Sequence, residues 1–250
     1  MSCPYQYYAR HVLKLNDLDE VQLEMEKRDF GELVHRILLD FHQTHPTLGG
    51  TDSAALEQSL RDISASVYGP MLKLNYLSHA WSLRWDRLIP GYIEWQMQRE
   101  QNGWRWHSGE TAKRLPLPLP DGKTLTLRGT LDRVDRSGDK LAVLDYKTRA
   151  PTALRNQLKT PGEDVQLPVY ALLAQDAVSE ACYVSLDKED VKPVPLQADP
   201  GELARDVARR LTEIFAALHA GSPLPAQGTD DACRWCEIKG LCRRGYWTDT

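Results

Sequence analysis

Three charged residues in the middle of the chain, Asp132, Asp145 and Lys147, have the types and spacing needed for chemistry on a phosphodiester. Asp145 and Lys147 are two residues apart at the end of an apolar run, and side chains two apart on a strand point to the same face. A carboxylate and an amine therefore meet at one strand end. Carboxylates that hold a divalent ion can neutralise a phosphate and activate a water molecule, and a neighbouring lysine can orient that water.

A hairpin is predicted to carry Asp132 alongside this pair. Apolar and polar residues alternate over 125–134 as in a strand, 137–139 has the turn sequence Ser-Gly-Asp, and 141–144 is typical of a central strand. An antiparallel neighbour would place a second carboxylate next to Asp145. Each of these acids taken alone would be an ordinary partner in an ion pair at a strand edge.

Two predicted helices contribute three more polar side chains. The first spans Arg28–His45, because its apolar residues recur at helical spacing, and His35 lies on the flank of that apolar stripe. The second spans about 164–176 and holds Gln166 and Tyr170, which share a face because they are four residues apart. A lone histidine on such a flank would be an ordinary boundary residue, so its meaning depends on the motifs around it.

Taken in order, these motifs resemble the PD-(D/E)xK nuclease superfamily, and specifically its RecB-like branch. That branch includes the AddB nuclease domain and the CRISPR-associated adaptation exonucleases. The matching residues are Gly31-Glu-Leu-Val-His35, Asp132, Asp145-Tyr146-Lys147 and the pair Gln166 and Tyr170. The resemblance extends over nearly the whole chain, and its specificity comes from the order and spacing of motifs that are individually common.

The resemblance implies a fold and a metal site. The fold would be an α/β restriction-endonuclease-like core, in which helices flank a mixed central sheet. The site would hold Mg²⁺ or Mn²⁺, with His35, Asp132, Asp145 and the backbone carbonyl of Tyr146 as ligands. Carboxylates suit either ion, whereas an imidazole suits manganese better than magnesium.

The resemblance also implies roles for three catalytic neighbours of that ion. Lys147 would orient or deprotonate the attacking water. Gln166 and Tyr170 would orient Lys147 or contact the phosphate near the scissile bond. Glu110, near the start of the first predicted strand, is a further candidate for the site, although a surface carboxylate is the preferred interpretation.

Four of the five cysteines form a second candidate site. Cys233 and Cys236 have Cys-x-x-Cys spacing, Cys242 follows six residues later, and Cys3 can supply a fourth thiolate. Four thiolates suit either structural zinc or an iron–sulfur cluster, and spacing alone does not choose. The resemblance favours a structural [4Fe-4S] cluster, with zinc as the alternative. The predicted cysteine clamp comprises residues 1–8 and 230–247.

The whole chain, residues 1–250, is predicted to be a single nuclease domain, because it is long enough to bury a full core. Residues 46–105 form a predicted helical insertion, interrupted at Gly69-Pro70 and at Pro90. Its aromatic residues are expected to be core side chains rather than a platform for stacked bases. Cys182, in an apolar strand, is expected to be buried as a small hydrophobic residue.

Charge and hydropathy limit the classes of function. The chain has 31 basic and 35 acidic residues and a net charge of −4. This charge argues against binding of nucleic acid over a broad basic surface, but it allows a local strip of basic residues. No stretch approaches the roughly 18 apolar residues of a membrane span, and no secretory signal is visible. A cytoplasmic location without a membrane partner is therefore predicted. The Gly-x-x-x-x-Gly-Lys phosphate loop of an ATP motor is also absent from the sequence.

These observations predict a Mg²⁺- or Mn²⁺-dependent deoxyribonuclease for DNA repair or recombination. By resemblance it would be an exonuclease acting on single strands or DNA ends. A helicase subunit, or the remainder of a longer chain, would be its partner; as a solitary protein it would be more similar to a CRISPR adaptation exonuclease. The alternatives are a non-catalytic DNA-binding scaffold of a helicase–nuclease complex and a zinc-stabilised RNA-processing enzyme.

Overall fold

The computed structural model describes residues 3–15, 27–74, 78–159, 164–187, 190–234 and 236–244. The chain divides into two compact units, one within 23–212 and a smaller one that combines the start of the chain with residues from 213 onward. Parts of the predictions above, at positions 1, 2, 75–77, 235 and 245–247, lie outside the described residues.

The described chain contains helices and strands in alternating groups. The helices are α1 Pro4–Tyr7, followed by a π-helical turn Tyr8–Val12, then α2 Lys27–Thr44, α3 Ser53–Leu74, α4 Ser78–Gln101, α5 Pro151–Gln157, α6 Gln166–Ala174, α7 Pro200–His219, α8 Asp230–Arg234 and α9 Lys239–Cys242. The strands are β1 Arg105–Pro118, β2 Thr124–Ser137, β3 Lys140–Lys147, β4 Val178–Asp187 and β5 Asp190–Pro195.

The five strands form one mixed sheet in the order β1-β2-β3-β4-β5. All neighbours are antiparallel except β3 and β4, which are parallel. A parallel pair needs a crossover connection, and α5 and α6 lie in the segment that joins β3 to β4. The β2–β3 hairpin is confirmed, and so is the predicted α/β class of a mixed sheet flanked by helices.

Side chains of β3 alternate between two apolar cores, one on each face of the sheet. Ala142 and Leu144 join the core formed with α2, α3 and α4. Leu141 and Val143 join the core that contains the apolar residues of α6. Because both faces are covered, β3 is apolar at consecutive positions, as central strands usually are. Cys182 in β4 is buried, as predicted.

The aromatic residues that the structure describes in segment 46–105 are core side chains, as predicted. Trp85 and Tyr92 of α4 are fully buried, and Trp81 and Trp95 pack against the same core. The expected interruptions were wrong, because α3 runs through Gly69-Pro70 and α4 runs through Pro90. Proline removes one backbone donor, and the buried residues on both sides of it compensate for that loss through packing.

The segment between β3 and β4 also differs from the prediction. It contains a helix that was not predicted from the sequence, α5, which starts with Pro151 at its first position and buries Leu154. Helix α6 is shorter than the expected 164–176, and Gln175 ends it in a left-handed conformation with φ of 61°. Among the described residues, no helix is long and apolar enough to cross a bilayer.

Candidate functional site

The β2–β3 hairpin brings the two aspartates together at one strand end. Arg133 pairs with Leu144, so Asp132 lies beside Asp145. The backbone N–H of Tyr146 donates to Asp132 Oδ2 at 3.3 Å. Burial raises the pKa of Asp145 to about 8, and the charge of Asp132 adds to this rise, whereas Lys147 opposes it. The predicted convergence of two carboxylates is therefore present.

Lys147 lies against Asp145, as the strand spacing predicted. Its Nζ is 2.6 Å from Asp145 Oδ2, and Asp145 is only 1% exposed. The same Nζ lies 5.5 Å from the centre of the Tyr183 ring. The neighbour of this buried oxygen is therefore the cationic ammonium of Lys147. A buried carboxylate oxygen in this state fits the role of a cation ligand.

Helix α2 places His35 between the acids and the Tyr146 carbonyl. Its Nδ1 is 3.2 Å from Glu110 Oε1 and 3.5 Å from Asp132 Oδ2, and its Nε2 is 3.1 Å from the carbonyl oxygen of Tyr146. Burial lowers the pKa of His35, but Glu110, Asp132 and the carbonyl outweigh it and raise the pKa to about 9. A protonated imidazole thus donates from both nitrogens where the resemblance implies a metal ion.

Glu110, which was expected to be a surface carboxylate, is 32% exposed and also lies beside this cluster. His35, Glu110 and Asp132 each offer a ligand atom within 4.8 Å of the others, and they are the only such trio among the described His, Cys, Asp and Glu residues. Glu110 has φ of 46° inside β1, opposite Asp132. Such a conformation is uncommon for a residue other than glycine, and strain of this kind concentrates at functional sites. A lone glutamate in a polar strand has no sequence pattern that would assign it to the site.

Helix α6 supplies the two predicted polar residues, and both contact the carboxylates. Gln166 Nε2 donates to Asp145 Oδ1 at 2.7 Å, and Tyr170 Oη donates to Asp132 Oδ1 at 3.0 Å. Burial raises the pKa of Tyr170, and the two aspartates raise it further, so its hydroxyl remains a donor. These bonds fix the orientation of both carboxylates, whereas the resemblance implied contacts with Lys147 or a phosphate.

Asp164 holds the start of α6 in place, and the sequence gave no indication of this. Its Oδ1 accepts from the backbone N–H of Gln166 at 2.9 Å. Its Oδ2 accepts from Gln157 Nε2 of α5 at 2.5 Å and from Tyr183 Oη of β4 at 2.6 Å. One carboxylate therefore ties α5, α6 and β4 together beside the site.

The donor set fits a divalent cation. His35, Glu110, Asp132, Asp145 and the Tyr146 carbonyl offer one imidazole nitrogen and several hard oxygens within a small, partly buried volume. Hard oxygens suit Mg²⁺, and the added nitrogen suits Mn²⁺. All the metal-site residues implied by the resemblance are brought together here.

The smaller unit contains the four cysteines of the second candidate site. Cys3, Cys233, Cys236 and Cys242 are free thiols that line one cavity. Among the described residues, no three cysteine sulfur atoms lie within 4.8 Å of one another. Four sulfurs around one zinc ion would lie about 3.8 Å apart, given a Zn–S distance of about 2.3 Å. The thiols of the described residues are therefore not grouped at the spacing of a zinc site.

The smaller unit has few apolar side chains to hold it together. Of the buried apolar residues that the structure describes, only Ala9 and Ile238 belong to it. Arg244 Nη1 donates to Cys233 Sγ at 3.1 Å, and a Cβ added at Gly228 would lie 2.9 Å from that sulfur. Small units of this kind usually depend on a metal or on disulfides for stability.

Comparisons with known proteins agree with this geometry. A family model described as the PD-(D/E)XK nuclease superfamily matches residues 1–243. An uncharacterized protein of Rickettsia bellii is 26% identical over 146 residues, which are 58% of this chain and 17% of that protein. In Clostridium perfringens, a subunit of an ATP-dependent helicase/deoxyribonuclease is 27% identical over 188 residues, which are 67% of this chain and 16% of that protein.

Two further proteins are similar over part or most of the chain. The corresponding ATP-dependent helicase/deoxyribonuclease subunit of Staphylococcus saprophyticus is 23% identical over 168 residues, 59% of this chain and 14% of that protein. Among solved structures, the crystal structure of SSO0001 covers 84% of this chain and 94% of its own, with a TM-score of 0.36 and 15% identity. The chain thus spans only 14% to 17% of the length of the curated relatives named here.

Proposed function

The chain belongs to the PD-(D/E)XK nuclease superfamily, and we propose that it is a Mg²⁺- or Mn²⁺-dependent deoxyribonuclease that cleaves single strands or DNA ends in DNA repair or recombination. One observation carries the proposal: ligand atoms of His35, Glu110 and Asp132 lie within 4.8 Å of one another, beside the ion pair of Asp145 and Lys147. A non-catalytic scaffold would have no need of this strained and buried arrangement.

The residues of the site have separate tasks in this proposal. An ion bound by His35, Asp132, Asp145 and the Tyr146 carbonyl, with Glu110 in reach, would neutralise the phosphate charge and make a water molecule nucleophilic. Each of these side chains would bind it in the deprotonated form.

The neighbouring residues orient the reactants. Lys147 Nζ, held 2.6 Å from Asp145, orients the attacking water and adds a positive charge beside the phosphate. Gln166 and Tyr170 each bond one oxygen of a carboxylate and so direct its other oxygen toward the cation.

A structural [4Fe-4S] cluster bound by Cys3, Cys233, Cys236 and Cys242 is the second part of the proposal. The four thiols line one cavity, which supports a shared metal group, and the resemblance favours a cluster over a single zinc ion. The lack of an apolar core in the smaller unit supports a structural task for that cluster. Its proposed role is to hold residues 1–8 and 230–247 together as a clamp.

The names of two relatives suggest a cellular setting. Both are named as subunits of an ATP-dependent helicase/deoxyribonuclease. We therefore propose a helicase as partner, either as a separate subunit or in the remainder of a longer chain. A CRISPR adaptation exonuclease is the alternative for a solitary protein. DNA as substrate and a helicase as partner imply a cytoplasmic site of action.

Digestion of end-labelled DNA tests the proposal. Single-stranded DNA, duplex DNA and single-stranded RNA are incubated with Mg²⁺ or Mn²⁺ and the wild-type protein, Asp145→Ala or Asp139→Ala. Asp139 is an exposed residue of the β2–β3 turn and serves as the matched control. We expect cleavage of DNA by the wild type and the control, and none by Asp145→Ala. Cleavage that persists in Asp145→Ala, or DNA binding without cleavage by the wild type, would refute the assignment.

A further inference from the structure

Arg133 follows Asp132 in β2, but its side chain lies in the core on the α2–α4 side of the sheet. Its side chain is only 1% exposed. A buried guanidinium is strongly unfavourable unless it is paired and fully hydrogen-bonded. This arginine therefore needs an explanation in terms of its contacts.

Five residues from four elements surround the guanidinium. Its Nε and Nη2 donate to Asp135 at 2.7 and 3.1 Å, and Nη2 also donates to Gln96 at 2.6 Å. The two N–H groups of Nη1 are shared among three acceptors, which are His42 Nε2 at 3.1 Å, Tyr92 Oη at 3.1 Å and Tyr146 Oη at 2.9 Å. Asp135 is completely buried and also pairs with Arg99, so the charge of Arg133 is balanced locally. Burial and the charge of Arg133 lower the pKa of His42, whose neutral ring can accept this bond.

Two of these contacts lead directly to the candidate metal centre. The hydroxyl of Tyr146 is bonded to Arg133, while the backbone of Tyr146 donates to Asp132 Oδ2 and its carbonyl oxygen lies 3.1 Å from His35 Nε2. His42 is two turns after His35 on α2, so both imidazoles lie on the same side of that helix. One guanidinium thus holds the strand end that bears the carboxylates and the helix that bears His35.

We propose that Arg133 is a positioning residue of the metal centre. By holding Tyr146 and α2 against each other, it keeps the Tyr146 carbonyl, His35 and Asp132 at the spacing that a divalent ion requires. The inference rests on the proposed function only in requiring that the site bind a divalent ion. It does not depend on DNA being the substrate.

The positioning role is tested by measuring Mn²⁺ binding in the absence of nucleic acid. Loss of a contact that only stabilises the fold would leave the Mn²⁺ affinity unchanged. Tyr146→Phe removes the hydroxyl that bonds Arg133 but keeps the ring and the backbone ligand. Arg133→Lys keeps the charge but loses the planar group whose Nη1 contacts Tyr146 and His42 while its Nη2 contacts Gln96 and Asp135. The control is Ser64→Ala, which removes the buried bond from Trp85 Nε1 to Ser64 Oγ, 2.7 Å long, in the α3–α4 pair.

We expect Tyr146→Phe to weaken Mn²⁺ binding, measured by calorimetry, by about 10- to 100-fold, as is usual for residues that orient metal ligands. Arg133→Lys should weaken it at least as much, and Ser64→Ala should stay within about twofold of wild type while losing a similar amount of thermal stability. If Arg133→Lys does not fold, Tyr146→Phe alone decides. Wild-type Mn²⁺ affinity in a folded Tyr146→Phe protein would overturn the inference.

The same measurement separates the inference from the proposed function. If the wild type binds Mn²⁺ and Tyr146→Phe weakens that binding, but no nucleic acid is cleaved, then the positioning role stands and the nuclease proposal fails. If the wild type cleaves DNA and both variants bind Mn²⁺ normally, the nuclease proposal stands and the positioning role fails. A wild type that binds no divalent ion overturns both.

Discussion

Burial and neighbouring charges favour the protonated forms of two residues of the candidate metal centre when no cation is bound. The pKa of Asp145 is raised to about 8, first by its burial and then by Asp132. The pKa of His35 is raised to about 9, because its acidic neighbours and the Tyr146 carbonyl outweigh its burial. Both values exceed those of the unfolded chain, so the folded protein binds more protons than the unfolded one between about pH 4 and pH 9. The stability of the ion-free protein should therefore fall as pH rises through this window.

The first prediction concerns the stabilisation by Mg²⁺ at different pH values. Because the ion must displace protons from Asp145 and His35, its binding should become tighter as pH rises from 6 to 8.5. Tm is measured with a chelator and with Mg²⁺ concentrations that increase in tenfold steps. The upward shift of Tm caused by Mg²⁺ should be larger at pH 8.5 than at pH 6. Asp145→Asn should flatten the dependence. A Mg²⁺-induced shift of Tm that is larger at pH 6 would contradict the inference that the ion displaces protons from Asp145 and His35.

The second prediction concerns Glu110. Glu110→Gln removes a charge within 3.2 Å of His35 while keeping the shape of the side chain. We expect the Mg²⁺ concentration for half-maximal DNA cleavage to rise by about tenfold or more, as is typical when a ligand or its orienting partner is changed. Glu94→Gln, at an exposed position of α4, is the matched control and should behave as the wild type. An unchanged Mg²⁺ midpoint in Glu110→Gln would exclude Glu110 from the site.

Sequence patterns predicted some of these residues and missed others for a physical reason. Asp145 and Lys147 follow from the two-residue period of one strand, and Asp132 follows from a short hairpin, so all three depend on local rules. Glu110 enters the site through a left-handed kink inside β1, and Asp164 through contacts with three elements. Neither a kink of that type nor a tertiary contact leaves a periodic signal in the sequence.

At the scale of elements, the accuracy of prediction depended on whether packing competed with local preference. The β2–β3 hairpin has a strong turn and two patterned strands, and local and tertiary preferences agree there. Pro90 and Gly69-Pro70 have strong local preferences against helix, yet buried neighbours keep α3 and α4 continuous. Short helices such as α5 are too brief for a periodic pattern to identify.

The third prediction concerns the position of α6. Asp164→Ala should leave Gln157 and Tyr183 without their acceptor and loosen the start of α6, so kcat for DNA cleavage should fall about tenfold or more through misplacement of Gln166 and Tyr170. Asp199→Ala is the control, because Asp199 Oδ1 accepts from the backbone N–H of Glu202 at 2.7 Å at the start of α7.

Both substitutions should lower the free energy of unfolding, but only Asp164→Ala should lower kcat. Loss of the helix-capping carboxylate at Asp199 should destabilise by about 1 kcal/mol, and kcat should remain that of the wild type. Urea unfolding and steady-state cleavage are measured on the same preparations. Equal kcat in Asp164→Ala and Asp199→Ala would show that α6 is positioned by its apolar face alone.

At the scale of the whole molecule, the two units differ in what stabilises them. The larger unit has buried apolar cores on both faces of its sheet. The smaller unit relies on polar contacts between the two ends of the chain, such as the ion pair of Arg10 with Glu237 and the bond from the backbone N–H of Tyr5 to the carbonyl oxygen of Pro225 at 3.2 Å. Arg10 and Glu237 are partly exposed, and exposed ion pairs contribute only about 0–1 kcal/mol. In our proposal, the cluster bound by its thiols would supply most of the stability of this unit.

The fourth prediction follows from this difference. Anaerobically purified wild-type protein should contain iron and acid-labile sulfide, and Cys236→Ser should lose both. Without the cluster, limited proteolysis should cut within residues 3–15 and 213–244, while a fragment containing the larger unit resists, because that unit has its own core. Cys182→Ala, a cysteine change in the larger unit, should keep wild-type iron and a resistant smaller unit. Stoichiometric zinc in the wild type, or a Cys236→Ser protein with an intact smaller unit, would refute the cluster as the main source of its stability.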